Sequence, residues 1–229
     1  MNILAIDTST EACSAALLRD DGEIFSEFEL APRQHTRLLP KMMDSVLKAS
    51  SLSKQSLTHC AFANGPGAFT GIRIAAATAQ GIAIGLDIPV IQISTLATLA
   101  QACLEKHAEN STLVALDARM GEVYWAKYKK DKQGLAVVDG NERLNKLEEV
   151  ILESSPACGA GHGWVVGGDI WIARFPDCAN IKIDSGLLPD ATALVKLAQQ
   201  AVIEKRFVNA EDTSINYLRN RVAEKPQRR

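Results

Sequence analysis

The strongest constraint on how this chain folds is a glycine-rich loop that leads directly into an uncharged helix. Positions 65–71 hold three glycines and a proline. Such a run is expected only where the backbone must turn tightly, take positive φ or let another group approach closely. A short apolar run at 60–63 precedes the loop, and a long one at 74–86 follows it. The pattern predicts a strand, a tight loop and then a buried helix.

The loop has two interpretations. Backbone N–H groups at a helix start bind anions readily. On that interpretation the nucleotide or anion contacts are Asp7 at the end of the first strand together with Gly65, Gly67, Thr70 and Gly71. The alternative is a tight turn in which Thr70 caps the helix. A P-loop is excluded because no Lys-Ser/Thr pair completes the glycine pattern.

The helix after the loop carries no charged residue between Arg73 and Asp87. A helix that is apolar all round must be covered on every side. Ala77, Gly81 and Gly85 follow Arg73 at four-residue intervals and form a groove of small residues. The neighbour that covers this groove is either another part of the chain or a second protein.

Alternation of strands and helices predicts an α/β fold in which helices pack on mixed sheets. The apolar run 2–7 and the hairpin of 13–18 with 24–30 predict three antiparallel strands. A helix follows, with apolar residues every three to four positions. Its stripe consists of Leu38, Leu39, Met42, Met43 and Val46.

A second unit begins as the first does, with an apolar run that ends at Asp117, as the run 3–7 ends at Asp7. This spacing indicates a duplicated fold. Within the second unit we predict a helix at 144–152 and a strand at 164–166. The predicted organisation is a first lobe at 1–108, a smaller second lobe at 109–215 and a basic tail at 216–229.

Composition limits the class of protein. A net charge of -2 and a pI near 6.1 give no overall basic field, so we do not expect nucleic acid to be held by this chain alone. Five cysteines without a Cys-x-x-Cys pair favour free thiols in a reducing compartment. With no export signal and no apolar run of the ~18 residues that a membrane span needs, we expect a soluble, cytoplasmic protein.

Four segments together resemble the TsaB family, also called YeaZ: residues 1–10, 65–73, 94–96 and 117–124. The resemblance covers effectively the whole chain, to Arg219. It implies a two-lobed fold like those of actin, sugar kinases and Hsp70 chaperones, with lobes related to ribonuclease H. It also implies a role in the threonylcarbamoyladenosine modification of tRNA. There the chain would be a non-catalytic partner of a TsaD-type catalytic subunit, joined by a TsaE-type ATPase, with tRNA bound only through the complex.

The residues support a non-catalytic role. An ATP site of the actin type would use Asp7, a second aspartate turn and a Gly-Gly turn. Gly167-Gly168 is present, but in the second turn Arg119 stands where a phosphate would need glycine. The catalytic relative's His-x-x-x-His metal pair is reduced here to His35. We therefore expect no catalytic residue, no metal and no cofactor of its own, with ATP or ADP possible only at a subunit boundary.

Hydrolytic chemistry has little support. The sequence contains neither Gly-x-Ser-x-Gly nor His-Glu-x-x-His, so a peptidase would have to use an unmarked site. Cys13, Cys60 and Cys103 lie in apolar runs, where cysteine acts as a small core residue. The remaining histidines are interpreted as solvated loop residues: His59, His107 and His162.

The leading hypothesis is therefore an interaction protein that pairs through helix faces, and that forms a homodimer when its relative is absent. The expected partner contacts are Leu38, Leu39, Met42, Met43, Val46, Arg73, Ala77, Gly81, Gly85, Arg119 and Glu122. The rival hypothesis is an ATP-dependent kinase or ATPase that uses Asp7, the glycine loop and Gly167-Gly168. A peptidase is a third alternative.

Overall fold

The computed structural model describes residues 1–152, 154–175 and 181–218. The first lobe is built on a five-stranded sheet of order β3-β2-β1-β4-β5. Its strands are β1 (Ile3–Asp7), β2 (Ala12–Leu18), β3 (Ile24–Leu30), β4 (His59–Ala63) and β5 (Val90–Ile93). The first three strands are antiparallel, as predicted, and β4 and β5 run parallel to β1. Every residue of β1 and β2 is buried, because helices cover both faces of the sheet.

The helices pack on the outer faces of the two sheets and between them. Helices α1 (His35–Ala49) and α2 (Phe69–Leu86) pack on one face of the first sheet, and α6 (Ala191–Ile203) packs on the other. Helix α3 (Thr95–His107) lies between α6 and the second sheet. The short helices α4 (Gly163–Gly167) and α5 (Asp169–Arg174) cover the far face of the second sheet.

The second sheet repeats the topology of the first. Its strand order is β11-β10-β6-β7-β8, with β9 also paired to β7. Its strands are β6 (Ser111–Arg119), β7 (Glu122–Lys130), β8 (Ala136–Val138), β9 (Arg143–Lys146), β10 (Cys158–Ala160) and β11 (Lys182–Asp184). β6 pairs antiparallel with β7 and parallel with β10, as β1 does with β2 and β4. The predicted duplication and two-lobed α/β fold are confirmed.

The predicted lobe boundaries need one correction. The residues of α6 pack against β1, β2, β4 and β5, so this helix completes the first lobe although it follows the second in sequence. Residues 206–217 also return to the first lobe, where Val208 bridges to Val90 and the Asn216 N–H donates to the Asn64 carbonyl. The second lobe is therefore not the whole of 109–215. Most of the predicted basic tail, from residue 219 onward, lies outside the described residues.

Two predicted elements of the second lobe are wrong. The segment predicted as a helix at 144–152 contains β9 and a single 3-10 turn at 147–149. The segment predicted as a strand at 164–166 forms most of α4. Trp164 stacks closely on Gly159 of β10, where an added Cβ would lie 2.6 Å from the indole ring, and its Nε1 donates to the Leu113 carbonyl at 3.1 Å. An isolated apolar run of three residues has too little periodicity to separate the two kinds of element.

Helix α2 has a length of 18 residues and a mean hydropathy of 1.3, which would let it cross a membrane by length and composition alone. Core helices pass the same test. Its inner residues Ala75, Ala79 and Ala83 are fully or almost fully buried against the first sheet. One side of α2 therefore packs in the core, and the other side is exposed to solvent.

Candidate functional site

The glycine loop is folded against the turn that joins β1 to β2. A Cβ added at Gly71 would overlap the Thr8 carbonyl oxygen, and one added at Gly67 would overlap the Ser9 carbonyl oxygen. The Thr8 hydroxyl also donates to the Gly71 carbonyl at 2.7 Å. The two glycines are thus required by backbone-to-backbone contact, which is one of the reasons for glycine that the sequence allowed.

One backbone N–H at the start of α2 is engaged within the protein. The N–H of Ala68, the residue that precedes α2, donates to the Ser9 carbonyl at 2.7 Å. Gly65, at φ +106°, packs on the Asn216 carbonyl instead of facing a ligand. Thr70 is exposed in the first turn, and no side chain caps the helix, so the predicted Thr70 cap is wrong. The structure brings Asp7, Gly67 and Gly71 together at the β1–β2 turn, where the two glycines pack on the Ser9 and Thr8 carbonyls. The contact of these residues with a nucleotide or an anion stays a prediction.

Asp7 lies beneath this contact and is 2% exposed. Its Oδ1 accepts the Ser9 N–H at 2.7 Å, while its Oδ2 has no hydrogen-bond donor among the described residues. Burial raises the pKa of Asp7 to about 6, and the nearby charge of Asp190 adds to the increase. A buried carboxylate with one unsatisfied oxygen destabilises the fold at neutral pH.

The second aspartate turn is also closed by its own residues. Arg119 donates its N–H to Asp117 Oδ1 at 2.7 Å, and its guanidinium lies 3.0 Å from Asp117 Oδ2. His162, predicted as a solvated loop residue, instead accepts the Asp117 N–H on Nδ1 at 2.8 Å and points Nε2 toward Glu11 of the first lobe, 4.0 Å away. Gly167, predicted as part of an adenosine turn, packs on the Trp171 indole.

His35 serves as a structural residue. Its Nε2 lies 3.0 Å from the Thr10 carbonyl and 3.2 Å from the Ala12 carbonyl, and the side chain is buried. The imidazole therefore ties the start of α1 to the β1–β2 turn. Among the described residues, no group of three or more His, Cys, Asp or Glu side chains could hold a metal ion.

The two lobes are joined by a hydrogen-bond network that sequence reasoning missed. The Glu142 carboxylate accepts from the Ser94 hydroxyl, from the Tyr128 hydroxyl at 2.5 Å and from the Asn216 amide at 3.4 Å. Ser94 caps α3, accepting from the N–H groups of Leu96 and Ala97. Burial and the Glu142 charge raise the pKa of Tyr128 well above its usual value. Glu142 lies in a loop without a motif, so no sequence pattern indicated this network.

A cleft of about 420 Å³ opens beside this network, lined by residues of β5, α3, α6 and the β7–β8 hairpin. Its polar lining includes Gln92, Glu142, Gln200 and Arg206. None of the residues predicted to contact nucleotide lines it. This cleft and the glycine loop are therefore separate features of the molecule.

The outer face of α2 is the largest uncharged surface that the sequence singled out. We define it as the exposed residues Thr70, Ala77, Gly81, Ile84 and Gly85. Ile84 is 67% exposed, and an added Cβ at Gly81 or Gly85 would meet nothing within 4 Å. The small-residue groove is therefore open to solvent and not filled by a neighbouring part of the described chain.

A cationic and aromatic cluster borders the outer face of α2 at its N-terminal end. The Arg73 guanidinium lies 3.2 Å from the centre of the Phe69 ring and 5.2 Å from that of Tyr217. Arg73 also donates to the Phe69 carbonyl at 2.8 Å. Phe69 is 59% exposed and Tyr217 is 47% exposed. The C-terminal segment thus contributes an aromatic ring to the rim of this surface.

The predicted contact stripe on α1 has a different role. Leu38, Leu39, Met42 and Val46 are buried in the core against the first sheet, so they are not available to a partner in this fold. Met43 is partly buried beside them. Of the other predicted contacts, Arg119 lies at the exposed β6–β7 turn with 87% of its side chain accessible, whereas Glu122 begins β7 and is half-buried.

Comparison with known proteins identifies the family. The chain is 40% identical over 228 residues to the Escherichia coli tRNA threonylcarbamoyladenosine biosynthesis protein TsaB, an alignment that covers 97% of this chain and 96% of the relative. The chain belongs to the TsaB family. The Bacillus subtilis TsaB is 35% identical over 166 residues, or 71% of each chain.

A family model and a solved structure extend this result. Residues 28–163 match the model of TsaD, described as tRNA N6-adenosine threonylcarbamoyltransferase. A structure titled as YeaZ from Pseudomonas aeruginosa superposes with a TM-score of 0.85 at 37% identity, covering 95% of this chain and 99% of that one. The TsaB family member described here is thus related in sequence both to TsaB proteins and to the TsaD family.

The close contact of the glycine loop predicts a sharp difference between two glycines of α2. Gly71→Ala should destabilise the protein by about 3 kcal/mol or more, because the new Cβ overlaps the Thr8 carbonyl. Gly81→Ala, in open space on the same helix, should stabilise it by about 0.8 kcal/mol through helix propensity. Urea unfolding followed by circular dichroism measures both, and equal effects at the two sites would contradict the packing described.

Asp7 predicts an unusual dependence of stability on pH. Since the folded-state pKa is raised from 3.8 to about 6, stability should fall as pH rises through this window, by about 3 kcal/mol in total. Asp7→Asn removes the buried charge but leaves an amide N–H without an acceptor, so the expected net gain at pH 7.5 is about 2 kcal/mol.

Guanidinium unfolding at pH 4 and pH 7.5 separates the cost of burying the Asp7 charge from the cost of the unpaired amide N–H in the variant. At pH 4 the variant should show no gain, because Asp7 is then already protonated in the folded protein. Asp44→Asn, an exposed substitution on α1, is the matched control and should change little. A loss of stability in Asp7→Asn at pH 7.5 would show that the carboxylate has a partner.

Proposed function

We propose that this chain is a non-catalytic subunit that binds and activates a TsaD-type catalytic relative in tRNA threonylcarbamoyladenosine biosynthesis. The observation that carries the proposal is the outer face of α2, an open, uncharged surface of small residues on a helix whose other face is core. Because surfaces of this kind are normally covered by another protein, a partner subunit is the expected occupant.

The identity of the partner is supported by sequence relationship. The TsaD family match at residues 28–163 includes all of α2, so a TsaD-type protein has an equivalent helix in an equivalent setting. Two related chains can then pair face to face through that helix in a pseudo-symmetric arrangement. In the absence of the relative, two copies of this chain would cover the same face as a homodimer.

The absence of catalysis by the isolated chain is supported by the two aspartate turns. In each turn some of the polar groups are engaged within the protein: the Ser9 carbonyl accepts the Ala68 N–H, and Asp117 accepts the Arg119 N–H and lies 3.0 Å from its guanidinium. We extend the proposal to a TsaE-type ATPase as a further partner, to tRNA held only through the complex and to ATP or ADP at a subunit boundary near Arg119. The free thiols of the described cysteines favour a cytoplasmic location.

The interface is tested by placing a charge in the groove. Gly81→Arg and Ala77→Glu should each weaken association with the TsaD-type relative by about 100-fold or more, because docking would bury an unpaired charge. Neither should lower the melting temperature by more than about 2 °C, since both side chains reach open solvent in the monomer. Size-exclusion chromatography with light scattering gives the stoichiometry, and calorimetry gives the affinity.

The matched control is Gly186→Arg, because Gly186 is also exposed and has nothing within 4 Å of an added Cβ. It should associate as the unsubstituted chain does. If the α2 variants still associate with unchanged affinity, the surface is elsewhere. If they fail to fold, the groove is internal and the proposal loses its physical basis.

A titration distinguishes a subunit from an ATP-dependent enzyme. The isolated chain, titrated with ATP and magnesium in a calorimeter, should show no stoichiometric binding, because the Ala68 N–H and the Asp117 carboxylate are already engaged. Adding this chain to the TsaD-type relative and the other components should restore threonylcarbamoylation of tRNA, measured by nucleoside mass spectrometry. Tight binding of nucleotide by the isolated chain would overturn the non-catalytic assignment.

A further inference from the structure

Two cysteines of the second lobe form a close pair in the layer between α3 and the second sheet. Cys103 lies on α3 and Cys158 begins β10, and their sulfur atoms are 3.4 Å apart. They are 55 positions apart in sequence, so the contact is created only by the tertiary fold. Both side chains are fully buried, and both are free thiols.

The surroundings of the pair are polar enough to support thiol chemistry. The Thr112 hydroxyl donates to Cys103 Sγ at 3.2 Å, and Cys158 Sγ contacts the Ser111 carbonyl at 3.5 Å. Thr112 is the strand partner of Cys158 in the parallel β6–β10 pair. The two sulfurs therefore belong to one hydrogen-bonded chain that runs from Thr112 through Cys103 to Cys158.

The two thiols differ in acidity. Hydrogen bonding from Cys103 lowers the pKa of Cys158 to about 7, while the same contact and burial raise the pKa of Cys103. Proton loss from the pair therefore leaves a shared thiolate centred on Cys158. A thiolate with a neighbouring thiol is the arrangement in which sulfenic acid formation is followed by disulfide closure.

From this geometry we propose that Cys103 and Cys158 are a redox modification site, at which a small peroxide closes an intrachain disulfide that joins α3 to β10. The Cys158 thiolate attacks one oxygen of hydrogen peroxide, which forms a sulfenic acid and releases hydroxide. Cys103 then attacks the Cys158 sulfur, the S–S bond forms and the sulfenic oxygen leaves as water. In sum, two thiols and one peroxide give one disulfide and two waters.

The closure needs little movement. A disulfide bond is about 2.05 Å long, so the sulfurs must approach by roughly 1.4 Å from their 3.4 Å contact. Side-chain torsions supply a shift of that size. Hydrogen peroxide, which is close to water in size, is the oxidant that such a buried pair would admit most readily. The bond would join the helix between the lobes to the strand that leads into Gly161 and His162.

The other described cysteines provide internal controls. Cys13 and Cys60 are buried in the first lobe, where burial raises their pKa values to about 11 and about 12. Neither has a second sulfur within hydrogen-bonding distance in the described part of the chain. They are expected to stay reduced under conditions that oxidise the pair.

The test uses the full reduced chain, treated with hydrogen peroxide and quenched with N-ethylmaleimide. Intact mass spectrometry should show a loss of about 2 Da and two fewer alkylated thiols. Non-reducing peptide mapping should recover the peptide that contains Cys103 linked to the one that contains Cys158. Dithiothreitol should reverse both changes. The oxidised chain should melt about 5 °C above the reduced chain, because the bond closes a long loop.

Variants separate this site from adventitious oxidation. Cys103→Ala should abolish the linked peptide, whereas Cys13→Ala should still form the link. If no Cys103–Cys158 peptide forms in the folded wild-type chain with excess peroxide, the proposal fails. It also fails if Cys103→Ala shows the same mass loss as wild type, since the disulfide would then join other cysteines.

Discussion

The structure depends on one backbone-to-backbone contact, that of the glycine loop with the β1–β2 turn. Thr8 and Ser9 present carbonyl oxygens at a distance that only a residue without a side chain can tolerate, and Gly71 and Gly67 provide it. The contact fixes where α2 begins and which of its faces meets the sheet. It also supplies an internal acceptor to the Ala68 N–H. A loop with the composition of a phosphate-binding loop thus packs against the protein's own backbone.

The two lobes share one strand topology but differ in the helix that follows the glycine-containing turn. In both, the central strand carries an aspartate at or near its C-terminal end, Asp7 in β1 and Asp117 in β6. The next parallel strand then leads into a glycine-containing turn, and in the second lobe Gly161 and Gly163 of this turn pack on Ala115 of β6. The helix that follows differs. It has 18 residues in the first lobe but is broken into pieces of 5 and 6 residues in the second. Within the described part of the chain, only the first lobe therefore presents a long, open helix face, so the surfaces of the two lobes differ although their topology is shared.

The sequence predicted the features that depend on local pattern. The opening hairpin, the strand that ends at Asp7 and the groove of small residues around Gly81 follow from turn residues, periodicity and side-chain size. Contacts between distant segments were not predictable. The spacing of Leu39 and its apolar neighbours is compatible with an exposed contact stripe and with a core face. Their burial against the first sheet shows that they form a core face. Glu142 and His162 carry no motif, and their roles arise from the fold alone. His162 could have been noticed as the residue between two glycines in the second lobe's counterpart of the first glycine loop.

The position of α6 has a consequence for synthesis on the ribosome. The first sheet is complete in sequence by residue 93, yet the helix that covers its second face ends at residue 203. During synthesis, the entire second sheet is made before α6 is available to cover side chains such as Ile3, Leu18 and Ile91. The face of the first sheet that α6 covers therefore lacks that helix while the 110 residues from 94 to 203 are synthesised. The first lobe cannot be completed before the second has been synthesised.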